Sequence, residues 1–331
     1  MPFADNHSRT INYLRISVTD RCNLRCRYCM PEDGVPWRPH GDILRYEEIE
    51  QVVRAAAELG IHKVRLTGGE PLVRPGLPDL VRMLVPIPGI DDLSMTTNGT
   101  LLARFADDLA DAGLDRVNVS LDTLRPDRFR HITRCGDLDD VLRGIAAARE
   151  AGLTPIKINV VVVRGWNDDE IVDLARKTVD PGWNVRFIEL MPIGSGGVVN
   201  DTWKKQVVIA DEIRETIEAT LGKLRPAKMR AGGGPARYYR LPGANGTIGF
   251  ITPISQHFCQ HCNRIRLTAD GKLRPCLLSD VEIDLRVPLR SGADRETIQQ
   301  LLRKAIEQKP LHHHLAERQH PKKRAMSEIG G

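Results

Sequence analysis

This 331-residue chain has no long apolar run and few aromatic residues. Its most apolar stretch, residues 156–163, contains Lys157 and Asn159 and is far shorter than the roughly 20 residues that span a bilayer. Residues 1–10 lack a basic segment followed by an apolar one, which argues against a secretory signal. Aromatic residues make up only 5% of the chain, and no basic block is interleaved with them. We therefore expect a cytoplasmic protein that has neither a membrane nor a nucleic-acid partner.

Cysteine is also sparse, and its odd number of seven argues against a complete disulfide framework. Cytoplasmic thiols are kept reduced, so metal ligation or catalysis is the better interpretation. Six of the cysteines form two groups of three: Cys22, Cys26 and Cys29, then Cys259, Cys262 and Cys276. Cys135 has no partner in sequence and is predicted to be a bystander. The net charge of +5 favours anionic ligands without identifying them.

Strand-like and helix-like segments alternate through the first two thirds of the chain. The predicted strands cover residues 13–18, 63–67, 93–97, 116–120, 155–162 and 184–190. The predicted helices between them cover residues 46–59, 77–84, 101–112, 138–151 and 168–178. This alternation predicts parallel crossovers, and therefore an α/β barrel or a doubly wound sheet. Polar and glycine residues follow several strand ends, which favours a partial barrel with six strands because barrel sites lie there.

After Pro192 the regular alternation of strand-like and helix-like segments ends. Glycine-rich segments at residues 194–197 and 231–237 lack the ending of a P-loop and are predicted to be flexible linkers. A helix is predicted at residues 211–221, with short strands at 238–241 and 247–251. We therefore expect a barrel domain over residues 1–200 and a smaller C-terminal region over residues 201–331 that carries the second cysteine group.

The first cysteine group has the spacing C-x3-C-x2-C and follows the first predicted strand. A structural zinc site needs four protein ligands and usually draws them from paired C-x2-C hooks. A [4Fe–4S] cluster held by three cysteines instead keeps one iron open for a small molecule. The alternative interpretation is a zinc or redox trio that lies beside an unrelated glycine turn.

The second group has the spacing C-x2-C-x13-C, which also suits a zinc knuckle completed by His257 or His261. The sequence between its cysteines favours a different use. Arg264 and Arg266 are two residues apart, so on a strand both point to one face while Ile265 points to the core. Two guanidinium groups beside a metal site are costly unless an anion binds there. A phosphorylated substrate would supply that anion.

These motifs resemble those of a known superfamily. The first group, with Tyr28 before its last cysteine and the GGEP segment at residues 68–71, resembles the radical S-adenosylmethionine (SAM) superfamily. With the second group, the chain resembles the GTP 3′,8-cyclase family of molybdenum cofactor biosynthesis almost from end to end. The similar segments, which show no departure at the motif positions, are residues 14–22, 63–72, 96–99, 118–124, 157–163, 186–192, 262–277 and 326–331.

The resemblance implies a partial (βα)6 barrel of TIM type and a radical SAM lyase that binds two [4Fe–4S] clusters and SAM. It implies conversion of GTP to (8S)-3′,8-cyclo-7,8-dihydroguanosine 5′-triphosphate, the first step of molybdenum cofactor biosynthesis. A 5′-deoxyadenosyl radical would remove the 3′ hydrogen of the ribose, and C3′ would then attack C8 of guanine. The implied partners are an electron donor, the next enzyme (cyclic pyranopterin monophosphate synthase) and a second copy of the chain in a homodimer.

The resemblance also assigns residues. The two cysteine groups would each hold one cluster, and guanine would bind the open iron of the second. The residues implied for SAM are Tyr28, Gly69, Ser120 and Met191. Those implied for GTP are Arg15, Arg65, Thr96, Lys157, Arg186, Arg264, Ile265 and Arg266. Those implied to be catalytic are Arg15, Arg264 and Arg266, together with Gly330 and Gly331 of a C-terminal tail that reaches the site.

Two other functions remain open on the residues alone. A peptide-modifying radical SAM maturase with auxiliary clusters shares the first motif, although such enzymes usually have more C-terminal cysteines. A two-cluster electron carrier is the second alternative, but it would need every iron to be closed by protein, whereas each cysteine group here is one ligand short.

Overall fold

The computed structural model describes residues 3–193, 203–229, 233–313, 315, 321 and 323–330. Within these residues the chain forms one twelve-stranded sheet. Its strands are β1 (Tyr13–Ser17), β2 (Lys63–Thr67), β3 (Asp92–Thr97), β4 (Arg116–Ser120), β5 (Lys157–Val162), β6 (Asn184–Glu189), β7 (Arg225–Pro226), β8 (Arg237–Arg240), β9 (Thr247–Ile251), β10 (Arg264–Leu267), β11 (Lys272–Arg274) and β12 (Ile283–Asp284).

The same residues form eleven α-helices. They are α1 (Tyr46–Glu58), α2 (Leu77–Leu84), α3 (Leu102–Asp111), α4 (Pro126–Thr133), α5 (Leu138–Glu150), α6 (Ile171–Arg176), α7 (Trp203–Gln206), α8 (Ala210–Leu221), α9 (Arg286–Arg290), α10 (Arg295–Glu307) and α11 (Met326–Ile329). Among the described helices, none combines the length and the apolar character that crossing a bilayer requires.

The strands lie in the order β12–β11–β10–β1–β2–β3–β4–β5–β6–β9–β8–β7. Every pairing from β10 to β9 in this order is parallel, whereas β11, β12, β8 and β7 are antiparallel to their inner neighbours. The predicted α/β class and its parallel sheet are therefore confirmed. Because parallel strands end at one edge, the loops that follow β1 to β6 come together there.

The C-terminal region extends this sheet at both sides instead of forming a separate one. Strand β10 pairs with β1, and β9 pairs with β6. The six predicted parallel strands thus lie inside a run of eight. The predicted domain boundary at residue 200 and the predicted linker at residues 194–197 lie outside the described residues.

Apolar periodicity accounts for how the helices cover the sheet. Helix α1 buries Ile49, Val52, Val53 and Ala56, which recur every three or four residues along one face. Most predicted elements match the observed bounds to within two residues. The predicted helix at 168–178 begins with a short 3-10 turn, and α6 occupies only its middle.

Candidate active site

Both cysteine groups line one cavity of about 290 Å³. The first group follows β1 at the carboxyl ends of the parallel strands, and the second flanks the start of β10 at their amino ends. Most of the residues predicted for SAM, GTP and the clusters line it. They are Arg15, Cys22, Cys26, Tyr28, Cys29, Arg65, Gly69, Thr96, Ser120, Arg186, Met191, Cys259, Cys262, Arg264, Arg266 and Cys276. Lys157, Ile265 and Gly330 are not among the lining residues, and Gly331 lies outside the described residues.

The first cysteine group lies on the loop that follows β1. The Cys22 sulfur accepts a hydrogen bond from the Leu24 backbone N–H at 3.4 Å and lies 4.0 Å from the Asn98 side-chain nitrogen. Burial raises the pKa of the Cys22 thiol to about 12 in the protein without metal. Such N–H groups aimed at a cysteine sulfur stabilise the charge of a thiolate once iron binds it. All seven cysteines are free thiols.

The GGEP segment after β2 packs directly against this loop. A Cβ atom on Gly68 would lie 2.7 Å from the Thr19 carbonyl oxygen, and one on Gly69 would lie 2.3 Å from the Arg21 carbonyl oxygen. The two glycines are therefore required by contact between backbones, and Gly69 also lines the cavity. This contact fixes the loop after β1 to the end of β2.

Glu70 is a structural residue of this segment, and the motif alone does not predict its separate role. Its buried carboxylate accepts hydrogen bonds from the Leu72 N–H, the Thr97 hydroxyl and the Asn98 N–H at 2.6–3.1 Å. Burial raises its pKa to about 7 despite these donors. Asn98 in turn donates to the Asn23 side chain at 2.8 Å. A chain of polar contacts thus links the ends of β2 and β3 to the cysteine loop.

Tyr28, predicted to contact SAM, is fixed by a buried carboxylate. Its hydroxyl donates to Asp122 Oδ2 at 2.6 Å, and the other oxygen of Asp122 accepts the Val161 N–H at 2.8 Å. Burial raises the pKa of Asp122 to about 6. Ser120 is the last residue of β4, Asp122 follows it by two residues, and both line the cavity. Three strand ends therefore contribute polar groups here.

Each cysteine of the second group has a polar contact, made either by its sulfur or by its backbone carbonyl group. The Arg264 guanidinium lies 3.9 Å from the Cys262 sulfur, and the Leu278 N–H donates to the Cys276 sulfur at 3.4 Å. Arg9 donates to the Cys259 carbonyl oxygen at 2.9 Å. Burial disfavours the Cys262 thiolate, but the positive charges of Arg264 and Lys309 outweigh it and lower the pKa of this thiol to about 6.

The two histidines considered for a zinc knuckle are placed differently. His257 lines the cavity and packs edge-on against His313 with ring centroids 5.1 Å apart, whereas His261 is exposed and does not line it. In the described part of the chain, no three His, Cys, Asp or Glu side chains converge closely enough to hold one metal ion. An iron–sulfur cluster has a different requirement, because each thiolate binds a separate iron.

A row of arginines forms the wall between the two cysteine groups. Arg15 on β1 is the register partner of Arg65 on β2 and of Arg266 on β10, so the three side chains leave the sheet on the same face. Burial lowers the pKa of each, that of Arg266 to about 9. Like charges in a low-dielectric site repel one another, so this wall is suited to a polyanion.

Lys157 and Arg186 extend the positive charge to β5 and β6. The Lys157 side chain is 1% exposed, and burial together with the charge of Arg186 lowers its pKa to about 6. Arg186 lines the cavity, as does Thr96 on β3. Ile265 packs in the hydrophobic core, as its alternation with Arg264 and Arg266 predicts, so its side chain does not face the cavity.

Comparison with known proteins extends this picture. Residues 16–178 match the radical SAM superfamily, and residues 183–315 match the family described as Molybdenum Cofactor Synthesis C. The GTP 3′,8-cyclase of Pelotomaculum thermopropionicum is 58% identical over 328 residues, which is 99% of each chain. That of Heliobacterium modesticaldum is 54% identical over 328 residues, again 99% of each chain.

The chain belongs to the GTP 3′,8-cyclase family. Among solved structures, Streptococcus suis SuiB bound to S-adenosylmethionine is similar to it, with a TM-score of 0.58 and 15% identity. The match covers 88% of this chain and 68% of SuiB. At that identity the likeness concerns the fold alone.

As a member of the GTP 3′,8-cyclase family, the chain should hold two clusters, and its donor sets fit them. Each cysteine group supplies three sulfurs to the cavity, and in each group one sulfur already accepts a backbone N–H. Three thiolates leave one iron of a [4Fe–4S] cluster open. The residues present therefore fit one cluster with an open iron at each end of the cavity.

The C-terminal tail of this cyclase-family chain ends against the arginine wall. The Arg266 guanidinium donates to the carbonyl oxygens of Gly330 and of Ile329, the latter at 3.4 Å. Gly330 has a φ of +69°, and a Cβ atom there would lie 2.6 Å from the Thr67 methyl carbon. Glycine is therefore needed at this position for both its backbone conformation and its size.

Arg324 anchors the tail. Its guanidinium bonds both carboxylate oxygens of Asp270 at 2.9 and 3.0 Å and both of Glu282 at 2.5 and 2.8 Å. Its side chain is 6% exposed. A second arginine, Arg38, pairs with Asp270 at 3.4 Å and with Glu328 of α11 at 3.2 Å. No local sequence pattern predicts this role of Arg324, because its partners are 42 and 54 residues away in the chain.

Replacing Arg324 with methionine is expected to release the tail. Breaking a buried ion pair costs about 3–5 kcal/mol, so amide hydrogen exchange at residues 326–330 should accelerate by roughly 100-fold to a few thousand-fold. The control is Arg164→Met, which breaks an exposed bidentate pair with Glu212 and should cost little. Unchanged protection of the tail in Arg324→Met, measured by hydrogen-exchange mass spectrometry, would contradict an anchoring role.

Proposed function

We propose that this chain converts GTP to (8S)-3′,8-cyclo-7,8-dihydroguanosine 5′-triphosphate in molybdenum cofactor biosynthesis, as a radical SAM lyase with two [4Fe–4S] clusters. One observation carries the proposal. A single cavity holds two three-cysteine sites with a row of register-matched arginines between them. SAM suits the first site, the guanine of GTP suits the second, and the triphosphate suits the arginines.

When bound, the first cluster and SAM supply a 5′-deoxyadenosyl radical, which is chemistry that the protein groups cannot perform. The protein has to hold SAM and GTP in one orientation and to keep water and other hydrogen donors away. Tyr28, Gly69, Ser120 and Met191 line the part of the cavity that we assign to SAM. The Asp122 carboxylate fixes the Tyr28 ring through its hydroxyl.

The positive side chains position the other substrate. We assign the triphosphate to Arg15, Arg65 and Lys157, with Arg186 and Thr96 beside them. Arg264 and Arg266 lie between these groups and the second cysteine group, where the nucleoside would bind. Each of the buried cations is disfavoured without an anion, so part of the GTP binding energy comes from removing that penalty.

The tail completes the catalytic set. Gly330 places a backbone carbonyl on Arg266, and we assign Arg15, Arg264, Arg266, Gly330 and Gly331 to catalysis. In the reaction the ribose C3′–H bond breaks and its hydrogen leaves with 5′-deoxyadenosine. A C3′–C8 bond then forms, and one further electron and a proton complete the dihydropurine, so the product is an isomer of GTP.

Isotope transfer tests this function directly. The clusters are reconstituted anaerobically in the full chain, and GTP, SAM and dithionite are added. Deuterium from [3′-2H]GTP is expected in 5′-deoxyadenosine, together with a cyclised nucleotide, whereas [8-2H]GTP should transfer none. Formation of 5′-deoxyadenosine that does not depend on GTP, without any altered guanine product, would refute the assignment.

GTP binding is expected to take up a proton. Because the pKa of Lys157 is about 6 in the free protein, its amine is neutral at pH 8, and a bound triphosphate raises that pKa. About one proton per GTP should therefore be absorbed at pH 8, and the affinity should fall up to about tenfold per pH unit above pH 6. Calorimetry in buffers of different ionisation enthalpy measures the uptake. Lys157→Met should absorb no such proton, and equal uptake by both proteins would contradict this role.

The partners follow from the proposed reaction. We propose that a low-potential electron donor reduces the first cluster, and that cyclic pyranopterin monophosphate synthase consumes the product. We also propose a homodimer, as the family resemblance implies, which light scattering of the full chain would test. We assign the reaction to the cytoplasm, where GTP is available and the six ligand thiols remain reduced.

A further inference from the structure

Lys309 is a buried lysine beside the second cysteine group, and the proposed reaction gives it no role. It follows the end of α10 by two residues, its side chain is 3% exposed, and it lines the cavity. Its ammonium group donates to the carbonyl oxygens of Arg264 at 2.8 Å and of Pro275 at 2.7 Å. A buried ammonium group is costly, so its presence at this position needs an explanation.

The two carbonyl groups belong to opposite ends of the cysteine motif. Arg264 follows Cys262 by two residues, and Pro275 directly precedes Cys276. One ammonium group therefore ties together the chain segments that carry two of the three sulfurs. It acts at the point where the second cluster would bind.

Arg9 connects the third sulfur to the same place. Its guanidinium donates to the Cys259 carbonyl oxygen at 2.9 Å and to the Lys309 and Pro310 carbonyl oxygens at 3.4 and 2.8 Å. Asp5 pairs with this arginine at 2.6 Å. The charge of Arg9 is thereby balanced by a carboxylate, whereas both hydrogen bonds of the Lys309 ammonium group end on neutral carbonyl groups.

Carboxylates do little to neutralise the positive charge around Lys309 near the second cysteine group. Apart from Arg9, which pairs with Asp5, the other cations near these sulfurs are Arg264 and Arg266. Neither of these two forms an ion pair with a carboxylate in the described part of the chain. Reduction adds one negative charge to a cluster. A cation fixed beside it in a poorly screened site stabilises the reduced form more than the oxidised form.

We propose that Lys309 is a positioning residue that holds the ligand segments of the second cluster and raises the reduction potential of that cluster. The inference rests on the proposed function, because it requires a cluster at Cys259, Cys262 and Cys276. A higher potential keeps this cluster in its reduced form once the proposed electron donor has reduced it. The cluster can then pass that electron to the cyclised nucleotide radical, which takes up one electron and one proton in the final step.

The test measures a potential in the full chain, not turnover. Cys22, Cys26 and Cys29 are all replaced by alanine so that only the second cluster is loaded, and its potential is found by titration followed by electron paramagnetic resonance. Lys309→Gln keeps a hydrogen-bond donor without the charge, and Lys309→Met removes both. In either variant the equilibrium constant for reduction is expected to fall about tenfold, which is 59 mV for a one-electron couple.

Two controls separate charge from structure. Lys309→Arg should restore the parent potential, and Lys304→Met, which removes an exposed lysine on α10, should leave it unchanged. The inference would be overturned if Lys309→Gln or Lys309→Met retains the cluster iron and the reduction potential of its second cluster equals that of the parent protein. Absence of any cluster in the parent protein with an intact second cysteine group would instead count against the proposed function, so the two failures are distinguishable.

Discussion

Replacing Cys276 with alanine is expected to abolish GTP cyclisation while the first cluster and its use of SAM survive. Cys276 lines the cavity, and its sulfur accepts the Leu278 N–H, so alanine removes one of the three cysteine sulfurs of that group. The first cysteine group lies on the loop after β1 and shares no ligand with it. Iron should fall from about eight to about four atoms per chain, and cyclisation should fall by roughly two orders of magnitude or more.

The matched control is Cys135→Ala. The Cys135 thiol contacts the carbonyl oxygens of Asn23 and Thr133 at 3.4 and 3.6 Å, and it does not line the cavity. Its removal should leave the iron content and the cyclisation rate unchanged. Iron analysis, visible absorbance and chromatographic product assays distinguish the two variants. Full cyclisation by Cys276→Ala would exclude this residue as a ligand that the reaction needs.

Gly330→Ala is expected to lower cyclisation about 100-fold without unfolding the protein. The added methyl group would lie 2.6 Å from the Thr67 methyl carbon and 3.3 Å from the Ser17 Cβ atom, so the tail has to move. Arg266 then loses the carbonyl oxygen that it bonds at the end of the chain. A displacement of about 1 Å in a substrate-positioning group is enough for a loss of this size.

A second glycine provides the control for backbone strain. Gly292 has a φ of +80°, and a Cβ atom there would meet no atom within 4 Å. Alanine at either position carries the same left-handed penalty of about 1–2 kcal/mol, but only the change at Gly330 disturbs the arginine wall. The midpoint of thermal unfolding should therefore shift equally in Gly330→Ala and Gly292→Ala, whereas the cyclisation rate should fall only in Gly330→Ala. Equal rates would show that the tail needs no glycine at this position.

Local pattern was enough to predict most of the sheet and to find both cysteine groups. Strands β2, β4 and β9 have their predicted bounds because short apolar runs end at glycine or polar residues. Helix α4 was missed because its segment is highly charged and buries only Phe129, Ile132 and Thr133. Helix α10 is also not predicted, because most of its residues are polar or charged. Its few buried residues pack against α1, a partner that is distant in the chain.

The remaining features depend on partners that are distant in sequence. No local sequence pattern predicts that β10 pairs with β1, or that Lys309 donates a hydrogen bond to a carbonyl group 45 residues away. The roles of Glu70 and Arg324 are likewise set by carboxylate contacts across the fold. Arg264 and Arg266 were recognised as a pair because two-residue spacing is itself local. Sequence therefore predicts which residues carry the chemistry better than which residues hold them in place.

The pairing of β1 with β10 has a consequence for how the enzyme is made. Asn12, just before β1, and Asn263, just before β10, bond across 251 residues, so the outer side of β1 stays bare until most of the chain has left the ribosome. An unpaired parallel strand is a site of aggregation, and contacts between such distant segments form slowly. Arg15 and Arg266 come together only at this last step. The three sulfurs of the second cysteine group are complete only after Cys276 has been synthesised, so iron can bind all three ligands there later than at the first group.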